Sequence, residues 1–197
     1  MECLWHFCPD FKVNENNQHV LADVFRWCIR DLNGNLNPRK GLWICGKIGS
    51  GKSTIMKGIL RFVQFYWLRD SGEKLNPKWL NVPVFCGRYA MDGFSVFGQI
   101  PMGLDELGTE IAPTNHLGNK LNVVAHLLNT IYDNNSPVPY VVTTNLTLTE
   151  TLNSYGERAI DRIGHLFNIV KLQDVTHRDS IGLWNMIKDE QVENKQQ

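Results

Sequence analysis

Apolar runs bounded by glycines and turn residues alternate along this chain with apolar stripes of helical spacing. That alternation predicts an α/β domain with a mainly parallel five-stranded sheet flanked by helices. Three observations carry the expectation. Gly41 to Gly46 runs through a glycine-rich turn into a long helical segment, the β-branched run Tyr140 to Thr144 stands between two helical stretches, and 197 residues allow one full domain and little else.

In chain order, apolar residues at 20, 21, 24, 25, 28 and 29 form the stripe of one helix, which Asn33-Gly34 ends. Gly41 to Gly46 is the first strand. From Ser53 a helix carries Ile55, Ile59, Phe62 and Tyr66 on one face until Asp70-Ser71-Gly72 stops it. Phe62, Phe65, Tyr66 and Trp67 lie at helical spacing and are assigned to the core. The stretch to Asn81 reads as a surface loop, and Val82 to Cys86 as the second strand. Ile100 to Glu106 is the third, irregular because Pro101 and Gly103 interrupt it. Leu121, Val124, Ala125, Leu128, Ile131 and Tyr132 form an apolar helix face, which leaves Asn122, His126, Asn129 and Asp133 on the solvated side. Tyr140 to Thr144 is the fourth strand. Thr147 and Glu150 have capping-box spacing for a helix that starts near Thr149 and carries Arg158 and Arg162. Leu166 to Leu172 is the fifth strand. The division expected is a segment 1–40 with one helix, a core over 41–172, and a polar, frayed tail over 173–197.

Composition limits the functions available. Lys and Arg total 20 and Asp and Glu total 20, which excludes a uniformly basic surface, so any phosphate binding is local. At 43% hydrophobic and 20% charged, the chain reads as globular and not disordered. It has no run of 18 apolar residues and no basic, apolar leader, so a cytoplasmic location without membrane contact is expected. Five scattered cysteines do not read as a disulfide framework, and Cys3, His6 and Cys8 lack the second pair of a common zinc pattern.

The motif with chemistry is Gly46-Lys47-Ile48-Gly49-Ser50-Gly51-Lys52-Ser53, which satisfies G-x-x-x-x-G-K-[ST] between a predicted strand and a helix. Its glycines let successive N–H groups point at phosphate oxygens, and the helix N-terminus adds partial positive charge. Lys52 then neutralises the β and γ phosphates of ATP, and the Ser53 hydroxyl holds Mg²⁺. Leu104-Asp105-Glu106 ends a neighbouring strand with two carboxylates: Asp105 on the metal side, Glu106 to polarise the attacking water. The plainer alternative is a solvated acidic turn. Asn145, at the end of the fourth strand, borders the expected crevice and either orients water or γ-phosphate or forms an ordinary turn. Arg158 and Arg162, four apart, share one side of a continuous helix, with ion pairing to Glu157 or Asp161 as their ordinary use.

Together with Leu104-Asp105-Glu106-Leu107-Gly108, Thr143-Thr144-Asn145-Leu146 and the segment Tyr155 to Ile163, this P-loop resembles the AAA+ ATPase domain of DnaC-type helicase loaders and their IstB-type relatives, over about residues 11 to 172. The resemblance implies a P-loop NTPase core without a C-terminal helical lid. It also implies Walker A over Gly46 to Thr54, Walker B at Asp105 and Glu106, sensor 1 at Asn145, and an arginine finger at Arg162 with Arg158 beside it. The function it implies is ATP hydrolysis at subunit interfaces of a homo-oligomer that remodels or loads a replicative helicase or a transposase. Single-stranded DNA is a further candidate partner through Lys47, Arg61 and Arg88. Two other readings stand beside it: a P-loop kinase for small molecules or nucleotides, and an ATP-dependent adaptor with little turnover.

Overall fold

The computed structural model describes residues 1–9, 11–71, 77–134 and 140–172. The tail expected over 173–197 and the helix stop at Gly72 lie outside these described residues.

A four-residue helix, α1 (Glu2–Trp5), precedes the expected one, α2 (Gln18–Cys28), which buries Val20, Val24, Trp27 and Cys28. Strand β1 (Gly41–Cys45) leads into α3 (Lys52–Ser71). Strand β2 is Trp79–Asn81, and α4 (Val82–Asp92) follows it without a break, continued by a 3₁₀ segment over Gly93–Gln99. Strand β3 (Gly103–Leu107) is followed by an antiparallel hairpin of β4 (Thr114–His116) and β5 (Asn119–Leu121), then by α5 (Val123–Asn134). Strand β6 (Val141–Thr144), helices α6 (Leu148–Tyr155) and α7 (Glu157–Leu166), and β7 (Phe167–Lys171) complete the order.

The main sheet has the order β2-β3-β6-β1-β7, and all its pairings are parallel. Parallel strands covered on both faces read as apolar runs, which is why β1 and β6 were legible. Alternate β1 residues serve opposite layers. Trp43 packs with α4, α5, α6 and α7, whereas Leu42 and Ile44 pack with α2 and α3.

Four expectations are corrected. Val82 to Cys86 is not a strand but the start of α4. Asn81 is its N-cap and Pro83 sits in its first turn, where a missing N–H costs nothing, and Val82, Phe85, Cys86 and Tyr89 are buried at helical spacing. The second strand lies just before it, at Trp79–Asn81. The helix carrying Arg158 and Arg162 does not start near Thr149: Gly156, at φ 84°, separates α6 from α7. The capping box itself is present, Thr147 accepting from the Glu150 N–H and Glu150 accepting from the Thr147 N–H. Phe65 and Tyr66 do not enter the core; Phe65 is 59% exposed. His126, finally, is half-buried rather than solvated, edge-on against the rings of Phe94 and Phe97.

Candidate functional site

In a parallel sheet every strand ends at the same edge, so β1, β2, β3 and β6 deliver their following residues to one crevice. From β1 the chain turns through Gly49 at φ 85° and Gly51 at φ 88°, a region that disfavours side chains, and enters α3 at Lys52. The loop amides and the N-terminal end of a twenty-residue helix therefore face the same space. Lys52 is 8% exposed, and its Nζ donates to the carbonyls of Gly46 at 2.6 Å and Lys47 at 2.7 Å.

Strand β3 supplies the acids through an irregularity of its own. Leu104 pairs with Val142 and Leu107 with Thr144, so β3 uses three steps where β6 uses two. The extra residue is accommodated by Glu106, whose φ is 60°. Such a bulge re-aims side chains. Here it turns Asp105 inward, 3% exposed, and Glu106 outward. Thr143 stitches the bulge together: its Oγ1 accepts the Glu106 N–H at 3.0 Å and donates to Asp105 Oδ1. Ser53 Oγ also donates to Asp105 Oδ1, at 2.8 Å. The first turn of α3 and the end of β3 are thus joined through one carboxylate. Glu106 accepts at 2.9 Å from Asn81 Nδ2, at the end of β2.

These elements enclose a cleft of about 760 Å³ lined by Ile48, Gly49, Gly51, Lys52, Ser53, Thr54, Glu106 and Asn145, all given a site role from the sequence, and by Thr109, Thr143 and Thr144, which were not. Its remaining wall, Cys8, Phe11 and Lys12, comes from the N-terminal segment. That segment is docked by α1, whose Leu4 side chain fills the space that a Cβ on Gly58 would need. The Trp5 indole N–H donates to the Phe11 carbonyl at 3.1 Å, and Phe11 Cε2 lies 3.3 Å from where Gly51 would carry a Cβ. Nothing local in the sequence marks Phe11 or Lys12. Asn81 was hidden by the misplaced second strand, whereas the two threonines at the end of a β-branched run were a readable signal.

Arg158 and Arg162 do not line the cleft. Arg158 is exposed on α7, and Arg162 is buried at 6% exposure, donating to Asn129 Oδ1 and lying 4.9 Å from the Tyr132 ring centroid. Their ordinary use as ion pairs is not what α7 displays: Asp161 lies 3.9 Å from His165 instead.

The residues present fit a magnesium–triphosphate group. The glycine turn at the N-terminus of α3 favours a polyanion, Lys52 adds a cation, and the Ser53 hydroxyl on the cleft wall is backed by the buried Asp105 carboxylate, oxygen donors of the kind that Mg²⁺ prefers. Among the described residues no helix is long and apolar enough to cross a membrane.

No protein-family model and no curated protein matches the chain. Solved structures do. A DnaC helicase loader aligns with TM-score 0.61 and 17% identity over 88% of this chain and 100% of its own. DnaI aligns with TM-score 0.56 and 17% identity over 86% and 89%. AMPPCP-bound DnaA from Aquifex aeolicus aligns with TM-score 0.55 and 15% identity over 94% of this chain and 53% of its own. With its five-stranded parallel sheet, the P-loop at the end of β1 and these alignments, the chain has the AAA+ domain fold found in DnaC-type helicase loaders.

Proposed function

We propose that this chain binds ATP with Mg²⁺ in the β1–α3 cleft and hydrolyses it between copies of itself, as a helicase-loader-like ATPase acting on a replication or transposition partner. The observation that carries the reading is the Ser53–Asp105 hydrogen bond, because it sets the P-loop hydroxyl and the strand-end carboxylate against each other across 52 positions of sequence. Lys52 would leave the Gly46 and Lys47 carbonyls for the β and γ phosphates, which offer stronger, charge-assisted bonds. Ser53 and Asp105 would hold the metal, which when bound neutralises charge that develops on the transferring phosphoryl group. Glu106 polarises the water, and Asn145 at the cleft edge orients it. Arg162, or Arg158 beside it, completes the site from a neighbouring copy. Phe11, on the cleft wall beside Gly51, would supply a ring for the base. The solved relatives support this use: one DnaA structure contains AMPPCP, another AMPPCP and single-stranded DNA, and the DnaC structure is that of a helicase loader.

One observation favours a second reading, an ATP-dependent adaptor with little turnover: Asn81 holds the Glu106 carboxylate. A measurable kcat that Glu106→Gln removes counts against the adaptor.

The test of the site is calorimetric. ATP binding to the chain is expected to be tighter with Mg²⁺ than with EDTA, and Asp105→Asn is expected to erase that difference. Equal affinity in both buffers, or no binding at all, overturns the proposal.

A further inference from the structure

The charged side chains buried among the described residues are Lys52, Asp105 and Arg162. Two of them belong to the cleft. Arg162 stands apart on α7, and its surroundings are unusual for a buried cation. Its Nη1 donates to the amide oxygen of Asn129 on α5, and its guanidinium carbon lies 4.9 Å from the centroid of the Tyr132 ring, one turn further along α5. Both partners are neutral. The nearest acid along α7, Asp161, is exposed and lies against His165.

Burying a guanidinium removes hydration, and a carboxylate with good geometry is the usual way to offset that loss when the role is structural. An amide and a ring face instead fix the direction of the planar fork while leaving its charge uncancelled and further N–H donors in hand. A cation held in this way is preorganised for an anion. The anion is not in the chain's own cleft, which Arg162 does not line.

We infer that Asn129 and Tyr132 are positioning residues that hold the Arg162 guanidinium as a preformed receptor for the terminal phosphate of a nucleotide bound by a second copy of this chain. The inference rests on the proposed completion of the site by a neighbouring copy and adds which groups set the arginine's reach and keep its charge. Helix α5 thereby becomes part of the catalytic interface without touching nucleotide.

Asn129→Asp separates this role from a plain brace between α5 and α7. The substitution keeps the shape and the hydrogen bond but adds the missing carboxylate. A brace would be strengthened, with thermal stability equal or higher and turnover unchanged. A receptor would be neutralised: kcat is expected to fall at least tenfold, with KM for ATP within twofold. The protein concentration needed for AMPPCP-driven assembly, read by sedimentation, is expected to rise at least tenfold. Tyr132→Leu is expected to lower kcat about fivefold, and Tyr132→Phe, which restores the ring, to recover it. Wild-type kcat and assembly in both Asn129→Asp and Tyr132→Leu overturn the inference. Arg162→Ala, measured alongside, tells the two levels apart. If it turns over at the wild-type rate, the trans-completed site itself fails; if it is slow while Asn129→Asp is normal, only the positioning role fails.

Discussion

Lys52 and Arg162 are both buried cations, yet the chain builds them in opposite ways. Lys52 is held by carbonyls five and six residues before it, in a turn that Gly49 and Gly51 allow and that α3 continues. Arg162 is held by Asn129, 33 residues away on another helix, and by the Tyr132 ring. The first arrangement is local and lies inside a cleft that one chain closes. The second is assembled from two helices and does not line the cleft that holds Lys52. On the proposed function, the difference teaches that the phosphate cradle would be complete in a single copy, while the cation assigned to hydrolysis would depend on how helices pack and on how copies meet.

The sharpest break of this comparison is Arg162→Ala. If the arginine works only in the transition state and from a neighbour, kcat falls by about 1,000-fold while ATP affinity of the single chain stays the same. Steady-state turnover beside calorimetric binding checks both halves. Glu106→Gln comes next, with kcat down about 100-fold and ATP still bound, because the amide cannot take a proton from water. Lys52→Ala is expected to act on the other side of the comparison, weakening ATP binding itself by about 100-fold, as loss of a charged donor in a partly closed cleft does.

Smaller effects sharpen the picture. Asn81→Ala frees the Glu106 carboxylate from one hydrogen bond, worth roughly 1 kcal/mol, and is expected to raise basal turnover up to about fivefold in a single-turnover assay. Thr147→Ala removes the cap of α6, the helix that leads to Gly156 and α7, and costs about 1 kcal/mol in a denaturation curve. Its partner in the capping box gives a pH sign. The Thr147 N–H, then its hydroxyl, hold the Glu150 carboxyl below its ordinary range. That stabilisation is present at neutral pH and fades as pH falls through the lowered value, so the melting difference between Thr147→Ala and the parent narrows in acid.

Legibility followed the range of the interactions. The P-loop, its strand and the helix after it were readable because a turn needing left-handed glycines, a buried apolar strand and a helix stripe follow one another within 30 residues or so of chain. Asp105 and Glu106 were readable as a pair, but their division into inward and outward carboxylates comes from the bulge against β6, which Thr143 completes. Val82 to Cys86 misled because a five-residue apolar run fits a strand or a helix equally, and the decision lay in Asn81, Pro83 and Tyr89. Phe65 and Tyr66 misled because a helix of α3's length presents more apolar residues than its neighbours can cover.

Sequence alone determined the glycine turn between β1 and α3, the acids at the end of β3, the capped start of α6 and the layered α/β class, since each depends on residues that interact with near neighbours or repeat with a backbone period. Tertiary structure alone decided that Phe11 walls the cleft, that Asn81 restrains Glu106, and that Arg162 lies between Asn129 and Tyr132. Those contacts join segments whose separation along the chain carries no periodic signal, and packing of the layers is what brings them within hydrogen-bond reach.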